Sequence, residues 1–591
     1  MARFTEYEKK LRPYLQAMPD IFRYVIVTKG ILFAMMFLFG GMAKALLSSV
    51  GRVAVTSGDW KFLYTTWQGI LLLLLSLASL YICVALDLNG KIALSSMLVK
   101  GEDVSIKECL NTGFTSLVKL LSPIGLLVIL YISFIAPVLG LGFSTSLTEG
   151  LYIPTFITAF IQESKLYSSL MGIIVPVLLF IGIANLYILH GIVLDGHSTI
   201  ASGKQSRRLM RGNYKNYLKQ NVLFFLTVAA LIALMAVVFF IIPLALIQLI
   251  PMPHACSRFL VVLFITAGAI LYLFVDLFVI PFYLMKMTGI YYAYKEESTV
   301  VQYVSGKNKE RRNKALAVLG AAAMMAAVIA QFVCFDSWYP ASTNVGIIAH
   351  RAGGAEAPEN TLAGLEKAHK EGASGCEIDI QRTKDGFYVL NHDNTFERTA
   401  GDKRKSEEMN LSDVKALSVD GSPVPEFEEM LTASKGRLML FTELKGSTAD
   451  KKMADDAVRL IHKHNMEDEC VLISLKYDLI NYIETKYPDI QTGFLTFVSF
   501  GNAAGLNCDY LGLEVESATA YKVDSIHKEG KKVLVWTVNE KSIQRHFLSS
   551  EVDGIITDNI RQAVSVKEKL ESRSDFARMF DRVRIILAST M

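Results

Sequence analysis

At 591 residues, with 52% hydrophobic and 20% charged side chains and a mean hydropathy of +0.35, the chain is too long for one compact domain and too apolar for disorder. Its net charge of +4 hides an asymmetry: residues 1–335 hold 28 Lys and Arg against 15 Asp and Glu, whereas residues 336–591 hold 32 against 41. That balance argues against a nucleic-acid partner, and seven cysteines without CxxC spacing argue against structural zinc or a disulfide scaffold.

Seven apolar runs long enough for a hydrocarbon core of about 30 Å precede residue 336, at 24–47, 68–88, 119–143, 168–193, 221–250, 259–285 and 314–335. The first contains Ala43-Lys44-Ala45, yet a long polar leader precedes it and six further runs follow, so it reads as an anchor helix and not a cleaved signal. The leader (Arg3, Lys9, Lys10, Arg12, Arg23, Lys29) and every second loop are rich in Lys and Arg, while the intervening loops carry two, one and one. Positive residues are retained on the cytoplasmic side, which predicts a multi-pass cell-membrane protein with a cytoplasmic N-terminus and an extracellular C-terminal half. Asp276, inside the sixth run, is a functional candidate because an ionisable group there is costly. The expected domains are a membrane domain over 1–335, a linker over 336–344, a barrel over 345–570 and an amphipathic tail over 571–591. In that tail Phe576, Phe580, Val583 and Leu587 recur at near-helical spacing around Arg578, Arg582 and Arg584, a pattern suited either to a last barrel helix packing on the core or to a bilayer surface.

From Val345 onwards, short aliphatic runs alternate with amphipathic stretches, the pattern of parallel strands joined by helices. Strands are predicted at 345–350, 375–380, 438–443, 471–474, 492–496, 510–514, 533–537 and 553–557, with a ninth run at 387–391. Six residues between Ile380 and Phe387 are too few for a parallel crossover, so the ninth run is a hairpin return about the turn Asp385-Gly386. A two-residue turn there sets Asp379 opposite His392. The other eight fit a (β/α)8 TIM barrel, an α/β fold whose chemistry sits at the C-terminal ends of the strands.

Those ends carry the candidates. Glu377 and Asp379 share one strand face at i, i+2, and Glu443 ends the next parallel strand. Three converging carboxylates suit a hard divalent cation, Mg2+ or Ca2+. Arg351 and Lys445 supply positive charge for a phosphate, and His350 and His392 supply an acid and a base near neutrality. Together they specify phosphodiester cleavage.

The run HRAGGAEAPENT (His350 to Thr361), with EIDIQRTKDG (Glu377 to Gly386), NHD (Asn391 to Asp393) and ELK (Glu443 to Lys445), resembles the glycerophosphodiester phosphodiesterase family. Trp536-Thr537-Val538-Asn539 is similar to that family's late aromatic strand motif, and the membrane half resembles the multi-span domain of some bacterial, chiefly Gram-positive, members. The resemblance implies that His350 and His392 are the catalytic pair and that Glu377, Asp379 and Glu443 hold the metal. It also implies that Arg351, Glu359 and Lys445 surround the phosphate, and it leaves Trp536 as a substrate platform or as mouth packing. The departure is Ala352, where the family has glycine in its HRG motif; a methyl group there crowds the loop if the backbone needs positive φ.

The expected reaction is metal-dependent hydrolysis of a glycerophosphodiester to glycerol phosphate and an alcohol at the outer membrane surface. The alternatives are a phosphodiesterase of lysophospholipids or glycerol-phosphate teichoic acids, and a lapsed, non-catalytic barrel that binds while the spans transport or scaffold.

Overall fold

The computed structural model describes residues 2–56, 60–135, 161, 164–296, 309–341, 343–497 and 499–590. The chain divides into two units, Met1–Ala43 with Trp67–Cys334 and Lys44–Thr66 with Phe335–Thr590. The loop after the first apolar helix therefore groups with the C-terminal half, inside a stretch that sequence reasoning assigned wholly to the membrane domain.

The first unit is a polytopic helical membrane domain. Among the described residues five helices are long and apolar enough to cross a bilayer: Pro13–Ser48, Trp67–Lys100, Lys165–Val193, Tyr214–Leu249 and His254–Tyr294. Their outward residues, such as Phe37 (81% exposed) and Leu249 (78%), are those a lipid solvent accepts. The expected span at 119–143 meets a bend of 119° between Ile106–Leu120 and Pro123–Ile135, and its remainder lies outside the described residues. The bend has a local cause: Ser122 caps the second helix by accepting from Gly125 N, and Pro123 has no N–H to continue the first. The run at 314–335 falls on the helix Lys309–Val333, whose described apolar part, Gly320–Val333, is shorter.

The second unit holds strands β1 (Ala54–Thr56), β2 (Gly346–Ala349), β3 (Gly375–Arg382), β4 (Tyr388–Leu390), β5 (Ser418–Val419), β6 (Ser422–Pro423), β7 (Met439–Leu444), β8 (Cys470–Ser474), β9 (Thr492–Thr496), β10 (Ser499–Gly501), β11 (Tyr510–Glu514), β12 (Lys532–Trp536) and β13 (Gly554–Thr557). Eight of them run parallel in the order β2-β13-β12-β11-β9-β8-β7-β3 and close through β2–β3, a (β/α)8 barrel. Period-two alternation sorts the side chains. Ile348, Phe441, Val471, Ile473, Leu495, Tyr510, Leu534 and Ile556 fill the lumen, while Cys376, Ile378, Ile380, Leu511 and Leu513 pack outward against the helices.

Strand β4 returns antiparallel to β3 as expected, but one residue out of the predicted register. Arg382 pairs with Tyr388, Gln381 with Val389 and Ile380 with Leu390, so Asp379 faces Asn391 and not His392. The cause is a three-residue loop: Gly386 N donates to Thr383 O at 3.1 Å, Gly386 takes φ +92°, and Thr383 N donates to Phe387 O at 2.8 Å. A type I turn closed by a left-handed glycine adds one residue to the loop that Asp-Gly alone suggests.

The C-terminal segment forms the helix Asp575–Thr590 and packs within the barrel unit, the first of the two arrangements its pattern allows. Met579 and Ile585 are buried, Asp581 takes ion pairs from Arg545 and Arg573, and Arg578 donates to Asp336 and to the carbonyl of Tyr339. The residues expected as linker thus join the barrel.

Candidate active site

Strand ends set the constellation. Glu377 and Asp379 project from β3 on the lumen side, the alternate face being taken by Cys376, Ile378 and Ile380. The register pairs Asp379 with Glu443 on β7, and one carboxylate oxygen from each of Glu377, Asp379 and Glu443 lies within 4.8 Å of the others. All three are buried, at 4%, 0% and 6% exposure. Lys445, two residues beyond Glu443, donates from Nζ to Glu443 Oε2 (2.9 Å) and forms an ion pair with Asp379 Oδ1 (3.1 Å).

Charge in this cluster does not balance without help. One ammonium faces three carboxylates in low dielectric, and burial together with the Asp379 charge pushes Glu377 up to about 8. Burial raises Glu443 too. Asp379 goes the other way: against its burial, Lys445, His392 and the Asn360 amide hold it well below the usual carboxylate range. An oxygen-only donor set short of positive charge fits a hard divalent cation such as Mg2+ or Ca2+. Glu377, Asp379 and Glu443 would hold it.

The loop after β2 wraps this cluster. Arg351 and Ala352 take φ +50° and +63°; Arg351 N donates to Glu377 Oε2 and Ala352 N to Glu377 O, both at 2.7 Å. The positive φ that made Ala352 a departure is present, and its methyl group is fully buried. Gly354, at φ +57°, lies so close to Asp558 O that a Cβ would come within 2.3 Å of it, so only glycine fits. Asn360 brackets Asp379, donating to Oδ2 at 2.9 Å and accepting from its backbone N–H at 3.0 Å.

Both predicted histidines reach this mouth, each held by an aspartate. His350 Nδ1 is 2.7 Å from Asp558 Oδ1, and Asp558 is itself held by Asn539. His392 Nδ1 is 2.8 Å from Asp393 Oδ1, whose other oxygen accepts from Arg398 Nε at 2.7 Å. His392 sits just past β4, and Gln381 fixes that turn by donating to the carbonyls of Asn391 and Asp393. Burial lowers both imidazoles, but the Asp558 hydrogen bond and the Glu377 charge more than offset it at His350, which ends raised. At His392 the charges of Lys445 and Arg351 add to burial against the pull of Asp379, and the ring ends lowered.

Glu359, expected beside the phosphate, is instead an anchor for cations. It accepts from Arg351 Nη1 at 3.3 Å and from both terminal nitrogens of Arg398 at 2.6 and 2.8 Å. A carboxylate so engaged aims Arg351. Trp536 ends β12 with Phe497 edge-on at 5.0 Å, and its indole Nε1 is buried without a hydrogen-bond partner. Asp558, Asn539, Asn360 and Arg398 were not among the sequence candidates. Asp558 directly follows the last barrel strand, a signal available in the sequence; the Arg398–Glu359 pair joins segments that only folding brings together.

Comparison with known proteins follows the same two halves. Residues 8–331 match the family model described as the membrane domain of glycerophosphoryl diester phosphodiesterase, and residues 350–562 match the glycerophosphoryl diester phosphodiesterase family. A putative glycerophosphodiester phosphodiesterase of Bacillus subtilis is 27% identical over 36% of this chain and 93% of its own. The glycerophosphodiester phosphodiesterase of Caldanaerobacter subterraneus is 25% identical over 38% of this chain and 98% of its own. Among solved structures, an Oleispira antarctica phosphodiesterase in complex with the product sn-glycerol-3-phosphate is similar over 38% of this chain and 96% of that one, at 24% identity and a TM-score of 0.36.

Proposed function

Because the chain belongs to the glycerophosphoryl diester phosphodiesterase family, matching its membrane domain and its catalytic domain in turn, we propose that it hydrolyses glycerophosphodiesters to glycerol phosphate and an alcohol by histidine acid–base catalysis at the outer face of the cell membrane. The observation that carries the mechanism is the pair of aspartate-held histidines at one barrel mouth, beside three buried carboxylates and a lysine.

Glu377, Asp379 and Glu443 would hold a divalent cation, which would supply Lewis-acid charge stabilisation to the phosphate and ease deprotonation of the attacking hydroxyl. Arg351, aimed by Glu359, and Lys445 hold the phosphate, the first as a planar fork and the second as a point charge. Asp558 and Asp393 each occupy an Nδ1 position, which leaves Nε2 of His350 and of His392 for proton transfer. One imidazole takes the proton of the attacking hydroxyl, from water or from the substrate's own glycerol, and the other protonates the departing alkoxide; where the glycerol hydroxyl attacks, the product is a cyclic phosphate, which water then opens to glycerol phosphate with the two rings exchanging roles. The P–O bond to the alcohol breaks as the new one forms.

The outward orientation is supported by the Lys and Arg distribution of the loops and by the grouping of residues 44–66 with the barrel, which requires that loop and the barrel to share one side of the bilayer. The test is product analysis with the purified full-length protein on glycerophosphocholine, a lysophospholipid and polyglycerol phosphate, with and without divalent metal. Release of glycerol phosphate or the corresponding acylated phosphate supports the reading; no turnover of any of the three under metal-replete conditions makes the barrel a binding module.

A further inference from the structure

The first inter-span loop supplies a strand to the catalytic unit. Strand β1 lies antiparallel to β10, pairing Ala54 with Gly501, Val55 with Phe500 and Thr56 with Ser499, and Asn502 N donates to Val53 O at 3.1 Å. Ala54, Val55 and Thr56 are all buried, Ala54 in the apolar cluster that joins the barrel strands to their helices. Edge pairing of this kind fixes a segment through its backbone.

What β1 fixes begins at the catalytic mouth. Strand β9 ends at Thr496, Phe497 follows with its ring against Trp536, and β10 starts two residues later. In the closed ring β11 stands diametrically opposite β3, so Phe497, Trp536 and the lumen-facing, buried Glu514 line the wall across from the carboxylate cluster. With the phosphate held on the β3 side, one ester arm of a diester must extend towards that wall.

On its other side β1 is tied to the membrane. The helix Ala2–Ser48 ends about five residues before it, a reach of roughly 18 Å at most, and the next apolar helix starts at Trp67. That reach is the most that can separate β1 from the end of the helix.

We infer that β1 and β10 form a substrate-selecting strap, which holds the Phe497 wall of the mouth at the bilayer and favours glycerophosphodiesters carried on a membrane-held acyl chain over freely soluble ones. The inference rests on the phosphodiesterase reading above and names its substrate class.

The test uses the full-length protein in phosphatidylcholine vesicles and compares turnover of lysophosphatidylcholine in the same vesicles with that of soluble glycerophosphocholine. Val55→Pro, which removes a ladder N–H from the centre of β1, is expected to lower the lipid-to-soluble ratio at least about fivefold while soluble turnover stays within about twofold. An unchanged ratio overturns the strap alone, and failure of the wild type on both substrates takes the phosphodiesterase reading with it. Thr56→Cys combined with Ser499→Cys keeps the test decisive if the proline variant does not fold. The pair is expected to close under oxidation and to give a ratio at or above that of the wild type; cysteines that do not close, or a locked enzyme with a lower ratio, overturn the strap.

Discussion

Ala352 shows how a single methyl group can be read from sequence as a question and from structure as a cost. The loop needs left-handed backbone at Arg351, Ala352 and Gly354 to bring two N–H groups onto Glu377 and to pass close over Asp558. An L-residue with a Cβ in that region is disfavoured by about 1 kcal/mol, so Ala352→Gly is expected to stabilise the protein by about 0.5–1 kcal/mol, read as a higher denaturation midpoint, with turnover unchanged. A lower midpoint would mean that the buried methyl contributes more by packing than it costs in backbone strain. The histidines give a sharper expectation: on the proposed mechanism both rings move protons and neither holds the phosphate, so His350→Ala and His392→Ala should each lower turnover about 10²- to 10⁴-fold and leave substrate binding nearly intact. Kinetics of the purified variants check this, and near-wild-type turnover in either one removes that ring from the mechanism. Strand alternation and parallel register place the three carboxylates at one mouth, and both rings follow directly on strands that end there, His350 one residue after β2 and His392 two residues after β4. The sequence did not disclose that Glu359 serves Arg351 and Arg398, because that pairing depends on a loop whose path no local pattern dictates.

At the scale of elements, the legible features are those with a period. All eight barrel strands fall on predicted runs, since an aliphatic stretch bounded by amphipathic helices has one way to bury both faces. Features set by a single residue were missed: Gly386 adds a third loop residue and moves β4 by one, and β1, three residues long, has no period to read. The register shift has a functional side, because it sets Asn391 beside Asp379 and leaves His392 beyond the strand, where its ring meets Asp393. Between β3 and β7 the carboxylate cluster is short of positive charge, so removal of divalent cations is expected to lower turnover at least about a hundredfold and to lower the melting temperature, with Mg2+ or Ca2+ restoring both. Glu377→Gln should weaken cation binding in calorimetry. Extensively chelated protein that runs at full rate and melts unchanged would show that Lys445 alone suffices for the cluster.

For the whole molecule, the pairing of β1 with β10 constrains the topology by parity. Residues 44–66 and the barrel group together, so the chain between Trp67 and Cys334 must cross the bilayer an even number of times. Among the described residues four of the long apolar helices lie in that interval, so on these residues alone the bent pair at Ile106–Ile135 and the helix Lys309–Val333 cross together or not at all. In either case the N-terminus is expected on the side opposite the barrel, and the basic leader and loops predict that side to be the cytoplasm. Labelling in intact cells with an impermeant thiol reagent tests this. The alternation of basic loops predicts that both cross, and the native Cys256, exposed at the start of the helix His254–Tyr294, then faces outwards, so it should react in the unaltered protein and must be replaced by alanine before new positions are read. On that background Lys403→Cys, in the barrel, and Arg52→Cys, in the first loop, should both be labelled, while Arg208→Cys, on the helix Thr199–Met210, should react only after permeabilisation. Labelling of position 208 in intact cells with 403 protected inverts the orientation, whereas opposite behaviour of positions 52 and 403 breaks the parity argument and with it the pairing of β1 to the barrel.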